Sequence, residues 1–444
     1  MPEATVTDVH GGRSPLNAEA TSWEPSSVFG ATKRFWYALL AVTGVALGVR
    51  VIYATLWQWH RNPGMTDTYY YRLNALDFAK GTWRLSQSHQ SSNHPPFFSF
   101  VLSSMDIARL MTYGEQLIFV AVIGTLVVAA TGLIGRQIGG DRTGLIAAGL
   151  GAIYPGFWLQ GSTIMPEPLS MLLVALATAL AYSLIKRPTL SRAAWVGVAC
   201  GLATLTRSEL VLLVPLAVWP FIAWLRELSG RQRVKLAAST TAAMIFVMTP
   251  WMVSNVIRFH DPNPLSSQGG GTLAGSNCPS TYYGPLTGYW SIGCTKIPAA
   301  SSGEVATYDI AATRKAEDFA LTHVSRIPAV IWAREGRVWG FYDPSQQAQL
   351  NKGGEDTWNL TAARAQVWCQ YVLLALAIVG IFVLRRKKVP LSPLVGVIVL
   401  VVLVVAMFYG EPRFTSSAQV AFVVLSGAAL DAGWSRVHLF GRRR

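Results

Sequence analysis

Charge is what this chain has least of. Of its 444 residues only 14% are charged, with 23 Asp or Glu and 7 His, whereas a soluble domain carries about a quarter. An ordinary soluble fold is excluded. The chain also lacks a phosphate-cradling Gly-rich motif followed by Lys, a zinc-spaced His/Cys cluster and internal repeats, so no nucleotide or zinc signature stands out. Residues 1–34 have no apolar core; they form neither a signal peptide nor a span and read as a disordered cytoplasmic tail. Cysteine is scarce too. Cys200 and Cys369 lie in apolar runs and suit packing. Cys278 and Cys294 flank a polar stretch rich in Gly, Pro and Tyr and pair as a disulfide if that loop faces an oxidising compartment.

What the chain does have is apolar sequence, 51% of the total. A helix needs about 20 apolar residues to cross a bilayer. Runs at 35–57, 117–135, 145–159, 168–185, 193–205, 210–225, 236–256, 367–384, 391–408 and 418–434 predict an all-α polytopic membrane protein of about ten spans. The 37 Lys and Arg outnumber the acids, giving a net charge of +14. They gather at Lys33-Arg34, Arg136/Arg142, Lys186–Arg192, Arg226–Lys235, Arg385–Lys388 and the terminal Arg442–Arg444. That is the pattern of cytoplasmic loops on anionic lipid rather than of nucleic-acid binding. Placing these clusters inside puts both termini in the cytoplasm, with residues 435–444 as a basic tail.

The intervening connections then fall outside. The main ones are a first loop over 58–116 and a long one over 258–364, within a membrane domain of 35–434. The apolar stretch 97–111, interrupted by Asp106 and Arg109, suits a short interfacial helix. Ser325–Tyr342 interleaves Ile, Val and Trp with Arg326, Arg334 and Arg337. It suits the headgroup layer, or equally a loop helix packed on the bundle. Gly269–Gly271 reads as a flexible loop. Asn359-Leu360-Thr361 has the pattern of an N-glycosylation acceptor.

The outer connections collect the residues able to do chemistry: Asp67, His94, Glu167, Arg207, Glu209, Arg258, Glu411 and Arg413. A carboxylate beside basic groups at headgroup depth is what sugar transfer from a lipid phosphate requires, one group to take a proton and others to hold the phosphate. Each residue also has a plainer role. Asp67 suits the N-cap of a helix from Thr68, His94 a structural histidine, and Glu167 a first-turn carboxylate at a helix N-terminus. Arg207 suits a phosphate fork or a salt bridge to Glu209. Arg258 and Arg413 suit interfacial anchors, and Tyr69, Tyr70 and Tyr71 an aromatic belt or a sugar platform.

A set of short motifs adds weight to the chemical roles. Asp67 opens a Tyr-rich segment ending at Ala79-Lys80-Gly81, followed by Asn93-His94-Pro95-Pro96. Further on come Met165-Pro166-Glu167-Pro168, Gly201–Arg207, Pro250-Trp251 and Glu411-Pro412-Arg413-Phe414. In this order, from about Phe35 to Trp434, the chain resembles the GT-C glycosyltransferases. More narrowly it resembles family 39, the protein O-mannosyltransferase and aminoarabinose transferase group. The resemblance implies a GT-C-like bundle and transfer, with inversion, from a polyprenyl-phosphate sugar at the extracytoplasmic face of a bacterial plasma membrane. Asp67 would be the base that activates the acceptor. The substrate-binding set would be His94 near the carrier phosphate, with Glu167, Arg207, Glu209, Arg258, Arg413 and Tyr70. That family usually has an Asp-Glu pair where this chain has Asp67-Thr68. The missing acid removes one contact for a divalent metal or for the acceptor, so a divalent metal stays an open option with no residue assigned as its ligand.

The sugar is a mannose, an arabinose or another, and the acceptor a glycan, a lipid or a protein, with membrane lipids as the other partner and no nucleic acid. A lipid-carrier flippase or transporter is the alternative. It predicts polar residues near mid-bilayer, and the apolar runs carry almost none, with Arg50 the exception.

Overall fold

The structure, a computed structural model, describes residues 23, 25–26, 30–60, 66–83, 92–259, 264–297, 305–353 and 358–441. Among these there is no strand. The chain runs through α1 (Lys33–Tyr53), α2 (Asp67–Lys80), α3 (Phe97–Ile107), α4 (Tyr113–Gly139), α5 (Asp141–Ile153), α6 (Pro155–Gln160), α7 (Glu167–Lys186), α8 (Leu190–Thr204), α9 (Trp219–Trp224) and α10 (Gly230–Phe259). The outer excursion supplies α11 (Gly269–Ser276), α12 (Pro279–Tyr282), α13 (Val305–Thr322), α14 (Ile327–Val338) and α15 (Pro344–Gly353). The last three helices are α16 (Leu360–Arg386), α17 (Ser392–Met407) and α18 (Ser416–Gly441).

Among the described residues six helical stretches are long and apolar enough to cross a membrane: Lys33–Gln58, Tyr113–Gly139, Glu167–Lys186, Gly230–Phe259, Leu360–Arg386 and Pro412–Ser435. Shorter apolar helices, among them Leu190–Thr204, Ser208–Trp224 and Ser392–Met407, complete the bundle. Two of the ten expected runs are broken. The run at 145–159 splits at Tyr154, whose extended backbone precedes Pro155, because the residue before proline is pushed out of the helical region. The run at 210–225 becomes a 3-10 turn, a π turn and α9 around Pro215 and Pro220, where two missing N–H groups prevent a continuous α ladder.

Local signals start the helices. The Thr32 hydroxyl accepts from Phe35 N, Thr112 and Glu115 form a capping box, and Thr189 accepts from Arg192 N. Asn359 caps α16 by accepting from Ala362 N at 3.1 Å. Small residues let the helices touch. A methyl at Gly197 of α8 would strike the Thr240 carbonyl of α10, and one at Gly380 of α16 the Leu425 carbonyl of α18, so these pairs meet backbone to backbone. Gly197→Val is expected to destabilise by about 1–3 kcal/mol, read as a lower melting temperature in detergent. Gly48→Ala, where a methyl meets nothing within 4 Å, should leave the melting temperature unchanged or higher.

The basic clusters gather at one end of the bundle. Thr32 donates to Asp141 (3.3 Å), Arg192 to Ser183 O (2.9 Å) and Tyr182 to Pro390 O (2.9 Å), and Arg142 pairs with Asp431. These contacts join the start of α1, the α4/α5, α7/α8 and α16/α17 junctions and the end of α18.

Three expectations are corrected. Most of the 1–34 tail lies outside the described residues, yet it is not loose at its described part: the Trp23 indole donates to Ile138 O (3.2 Å) and Ser26 N to Gln137 O (3.0 Å). Gly269–Gly271 begin α11 rather than a flexible loop; Gly270 N donates to the Asp309 carboxylate at 2.5 Å, and a Cβ there would collide with Asp309 O. Of the two readings of Ser325–Tyr342, the helix packed on the bundle is the one found for α14. Arg334 and Arg337 are buried while Trp332 on the opposite face is 75% exposed, because the guanidiniums satisfy carbonyls of neighbouring loops. At the C-terminus α18 runs on to Gly441, past the expected tail boundary at 435, and Arg442–Arg444 lie outside the described residues.

Candidate active site

At the end of the bundle opposite the basic clusters, a cavity of about 680 Å³ opens between the start of α2, the loop before α3, the start of α7, the turn after α8, the start of α11 and the end of α17. Thr66 is extended and α2 begins at Asp67 itself, one residue earlier than the N-cap reading places it. Asp67 therefore sits in the first turn with Tyr71 one turn on, and the spacing of four puts both side chains on one face. Asp67 Oδ1 lies 3.3 Å from His94 Nε2 and Oδ2 lies 3.5 Å from Arg413 Nη1. His94 stacks on the Tyr71 ring, centroids 4.7 Å apart. The loop carrying His94 is held by Ser266 donating to Asn93 O and by Phe97 N donating to Leu205 O at 2.8 Å.

The second cluster is centred on Arg207. It pairs with Glu167 through Nη1 and with Glu209 through Nε. Burial works against the Arg207 charge, but Glu209 and Glu167 more than offset it, so its pKa is raised above the ordinary arginine value. Glu167 is fully buried, and its Oε2 has no hydrogen-bond partner among the described residues. The Phe414 ring lies beneath both guanidiniums, 5.2 Å from Arg207 and 5.9 Å from Arg413. Tyr71, buried and facing Asp67 and Glu167, has its pKa pushed well up, by burial first and by those carboxylates second. It stays a neutral phenol.

Arg413 uses three sides of its guanidinium. Besides Asp67 it donates from Nε to Glu411 Oε2 (3.0 Å) and from Nη2 to the Tyr409 hydroxyl (3.3 Å). The opposite wall is apolar, with Val211, Leu212, Leu403, Val404, Met407 and Phe408. Leu403 is 47% exposed and Met407 62%, so this wall continues onto the outer surface of α17. A polar end and a lipid-compatible side thus share one cavity.

The structure brings together Asp67, His94, Glu167, Arg207, Glu209 and Arg413, residues separated by up to 346 positions in sequence. It does not bring in Arg258 or Tyr70. Arg258 donates to Trp83 O (3.1 Å) and lies over the Trp83 and Phe259 rings, and Tyr70 meets Tyr69 edge-on. Tyr71 takes the place expected for Tyr70, as its i, i+4 relation to Asp67 would have indicated. Gln268, Thr272 and Tyr409 also line the cavity without having been singled out. Tyr409 stands two residues before the Glu411 motif; Gln268 and Thr272 carry no sequence signal. Cys278 and Cys294 form a disulfide. Among the described residues no group of three His, Cys, Asp or Glu side chains is placed to hold a metal ion, and the cavity carboxylates engage arginines or His94.

Residues 93–252 match the family model described as dolichyl-phosphate-mannose-protein mannosyltransferase. Among solved structures the chain is similar to the archaeal oligosaccharyltransferase AglB from Archaeoglobus fulgidus in complex with an inhibitory peptide and a dolichol-phosphate, with a TM-score of 0.56 and 16% identity over 92% of this chain and 51% of that one. The apo form of the Archaeoglobus fulgidus oligosaccharyltransferase gives the same TM-score at 15% identity, with coverage of 92% and 51%. The chain thus spans about half the length of these structures. ArnT from Cupriavidus metallidurans bound to undecaprenyl phosphate is similar at a TM-score of 0.42 and 16% identity, over 90% of this chain and 77% of that one. No curated protein matches the sequence. The likeness to the oligosaccharyltransferase structures gives the fold of this helical membrane chain, and the family model covers residues 93–252 of it.

Proposed function

We propose that this chain transfers a sugar from a polyprenyl-phosphate carrier to an acceptor hydroxyl or amine at the extracytoplasmic face of the membrane. The observation that carries the reading is the cavity itself: a carboxylate, an imidazole and an arginine at one end, and an apolar wall continuous with the outside of α17 along the other. The carrier's prenyl chain lies against that wall, and its phosphate reaches Arg413 and His94, which neutralise and hydrogen-bond it. Arg207 is already shared by two carboxylates and does not serve as the main phosphate grip. It holds Glu167 in place, and Glu167 Oε2, which has no hydrogen-bond partner among the described residues, meets a donor group on sugar or acceptor.

The step is a direct displacement. The acceptor's O–H or N–H proton passes to Asp67, the acceptor atom bonds to the anomeric carbon, and the bond from that carbon to the phosphate oxygen breaks with its electron pair leaving on the carrier phosphate. Attack opposite the leaving group inverts the anomeric centre. The AglB structure to which the chain is similar holds a dolichol-phosphate and a peptide, which supports a lipid-phosphate donor. The test is release of polyprenyl phosphate by purified protein given a panel of polyprenyl-phosphate sugars and envelope acceptors. Absence of release together with absence of polyprenyl monophosphate binding would end the proposal.

The side of the membrane follows from the basic clusters at the opposite end. A cysteine at Val324, 57% exposed in the outer excursion, is expected to react with an impermeant maleimide on intact cells. One at Arg231 should react only after lysis. The reverse pattern would invert the topology.

A further inference from the structure

The disulfide-closed loop does not line the cavity, yet it is built against a residue that does. Between Cys278 and Cys294 the chain places Tyr289 and Trp290 with their rings 6.3 and 6.4 Å from that of Tyr409. Gly410 N donates to Gly288 O at 2.9 Å, fixing the residue after Tyr409 to the same loop. The approach is so close that a methyl at Gly410 would meet Arg334 O, and one at Gly288, which has φ +77, would meet the backbone at Ala333–Arg334. Trp290 in turn lies on the backbone of Gly275, where a Cβ would strike its indole, and Ser291 N donates to Gly275 O at 3.0 Å.

Arg334 completes the clamp. Its Nη1 donates to Ala406 O (2.8 Å) and Met407 O (3.0 Å), the last carbonyls of α17. Its Nη2 donates to Ser276 O (2.8 Å) and Asn277 Oδ1 (3.0 Å), beside Cys278. Tyr409 is therefore held from the loop side by two rings and a backbone bond, and its hydroxyl accepts from Arg413 Nη2. That is the same guanidinium whose Nη1 faces Asp67. A freely rotating arginine loses rotamer entropy on gripping a phosphate, and a fixed one does not.

We propose that Tyr409 is a positioning residue which sets the orientation of Arg413, and that the disulfide-closed loop 278–294 serves to hold Tyr409. This rests on the functional reading above, in which Arg413 meets the carrier phosphate. The loop then acts on the donor site through Tyr409, without itself lining the cavity.

The experiment is a double-mutant cycle read by binding of undecaprenyl monophosphate to the purified full chain in detergent. Tyr409→Phe keeps the ring and its packing and removes only the hydroxyl. It is expected to weaken binding about tenfold, the size of one hydrogen bond to a charged group. Arg413→Lys should weaken it more, since a lysine cannot present the fork, and adding Tyr409→Phe to Arg413→Lys should cost nothing further. Trp290→Ala should reproduce the Tyr409→Phe loss, and Trp290→Phe should restore most of it. Additive losses in the cycle, or full binding by Tyr409→Phe, would overturn the positioning role while the carrier reading stands. A wild-type chain that binds no undecaprenyl monophosphate overturns both. Should Trp290→Ala fail to fold, the cycle at Tyr409 and Arg413 decides alone.

Discussion

Asp67→Asn is expected to lower sugar transfer by about 10²–10⁴-fold, the range that a positioned general base contributes, while carrier binding becomes no weaker. The two halves follow from the same geometry. Asn cannot take the acceptor's proton, so the step that depends on Asp67 loses its base. The carboxylate is also one of three groups that share Arg413, 3.5 Å from Nη1, and it faces His94 at 3.3 Å. Removing its charge leaves Arg413 and His94 freer to meet a phosphate. Single-turnover transfer and undecaprenyl monophosphate titration on the same preparation separate the effects. Full transfer by Asp67→Asn would remove this residue from the chemistry. Loss of transfer with a parallel loss of binding would make it a scaffold for Arg413 instead of a base.

That both Asp67 and its surroundings can be argued from sequence has a physical reason. Helix starts, prolines and charge asymmetry are local, so the order of spans and the end at which Asp67, Glu167 and Arg413 fall are legible from the chain alone. Which of several equivalent residues turns inward is a matter of packing. Arg258 and Arg413 both stand at span ends, but Arg258 is captured by Trp83 and Arg413 by Glu411 and Tyr409. Sequence does not show which arginine finds an aromatic ring first. Tyr70 and Tyr71 differ by one position and 100° around a helix, so fixing the helix start at Asp67 rather than Thr68 chooses between them.

The outer excursion was least legible, and again for a definite reason. Three consecutive glycines look like a flexible link because glycine disfavours helices. Here the absence of side chains is what lets α11 lie on Asp309, with Gly270 N bonded to its carboxylate. For Arg334 and Arg337 the sequence left two readings, headgroup layer or packed helix, because charged side chains bury only when they find partners. They are buried because each guanidinium supplies several donors at once, Arg334 to Ala406 O, Met407 O and Ser276 O and Arg337 to Thr287 O and Pro285 O. Gln268 and Thr272 reach the cavity only through that packing.

Arg207→Met is expected to destabilise the chain by about 3–5 kcal/mol, the usual consequence of removing one partner of a buried ion pair. Arg207 is the residue whose loss should most damage the fold around the site. The Glu167 side chain is only 1% exposed and pairs with Arg207 through Oε1, and its other oxygen already lacks a partner among the described residues. Without the arginine a buried carboxylate would be left with no cation in contact, while Glu209, 22% exposed, can turn to water. The predicted rescue is therefore specific: adding Glu167→Gln to Arg207→Met should recover most of the lost melting temperature in detergent, and adding Glu209→Gln should recover little. If Arg207 were instead the principal phosphate ligand, Arg207→Met would fold normally and lose carrier binding. Neither second substitution would then change the melting temperature. The two outcomes separate a residue that builds the acidic wall of the cavity from one that grips the carrier, and the twin carboxylates around Arg207 favour the first.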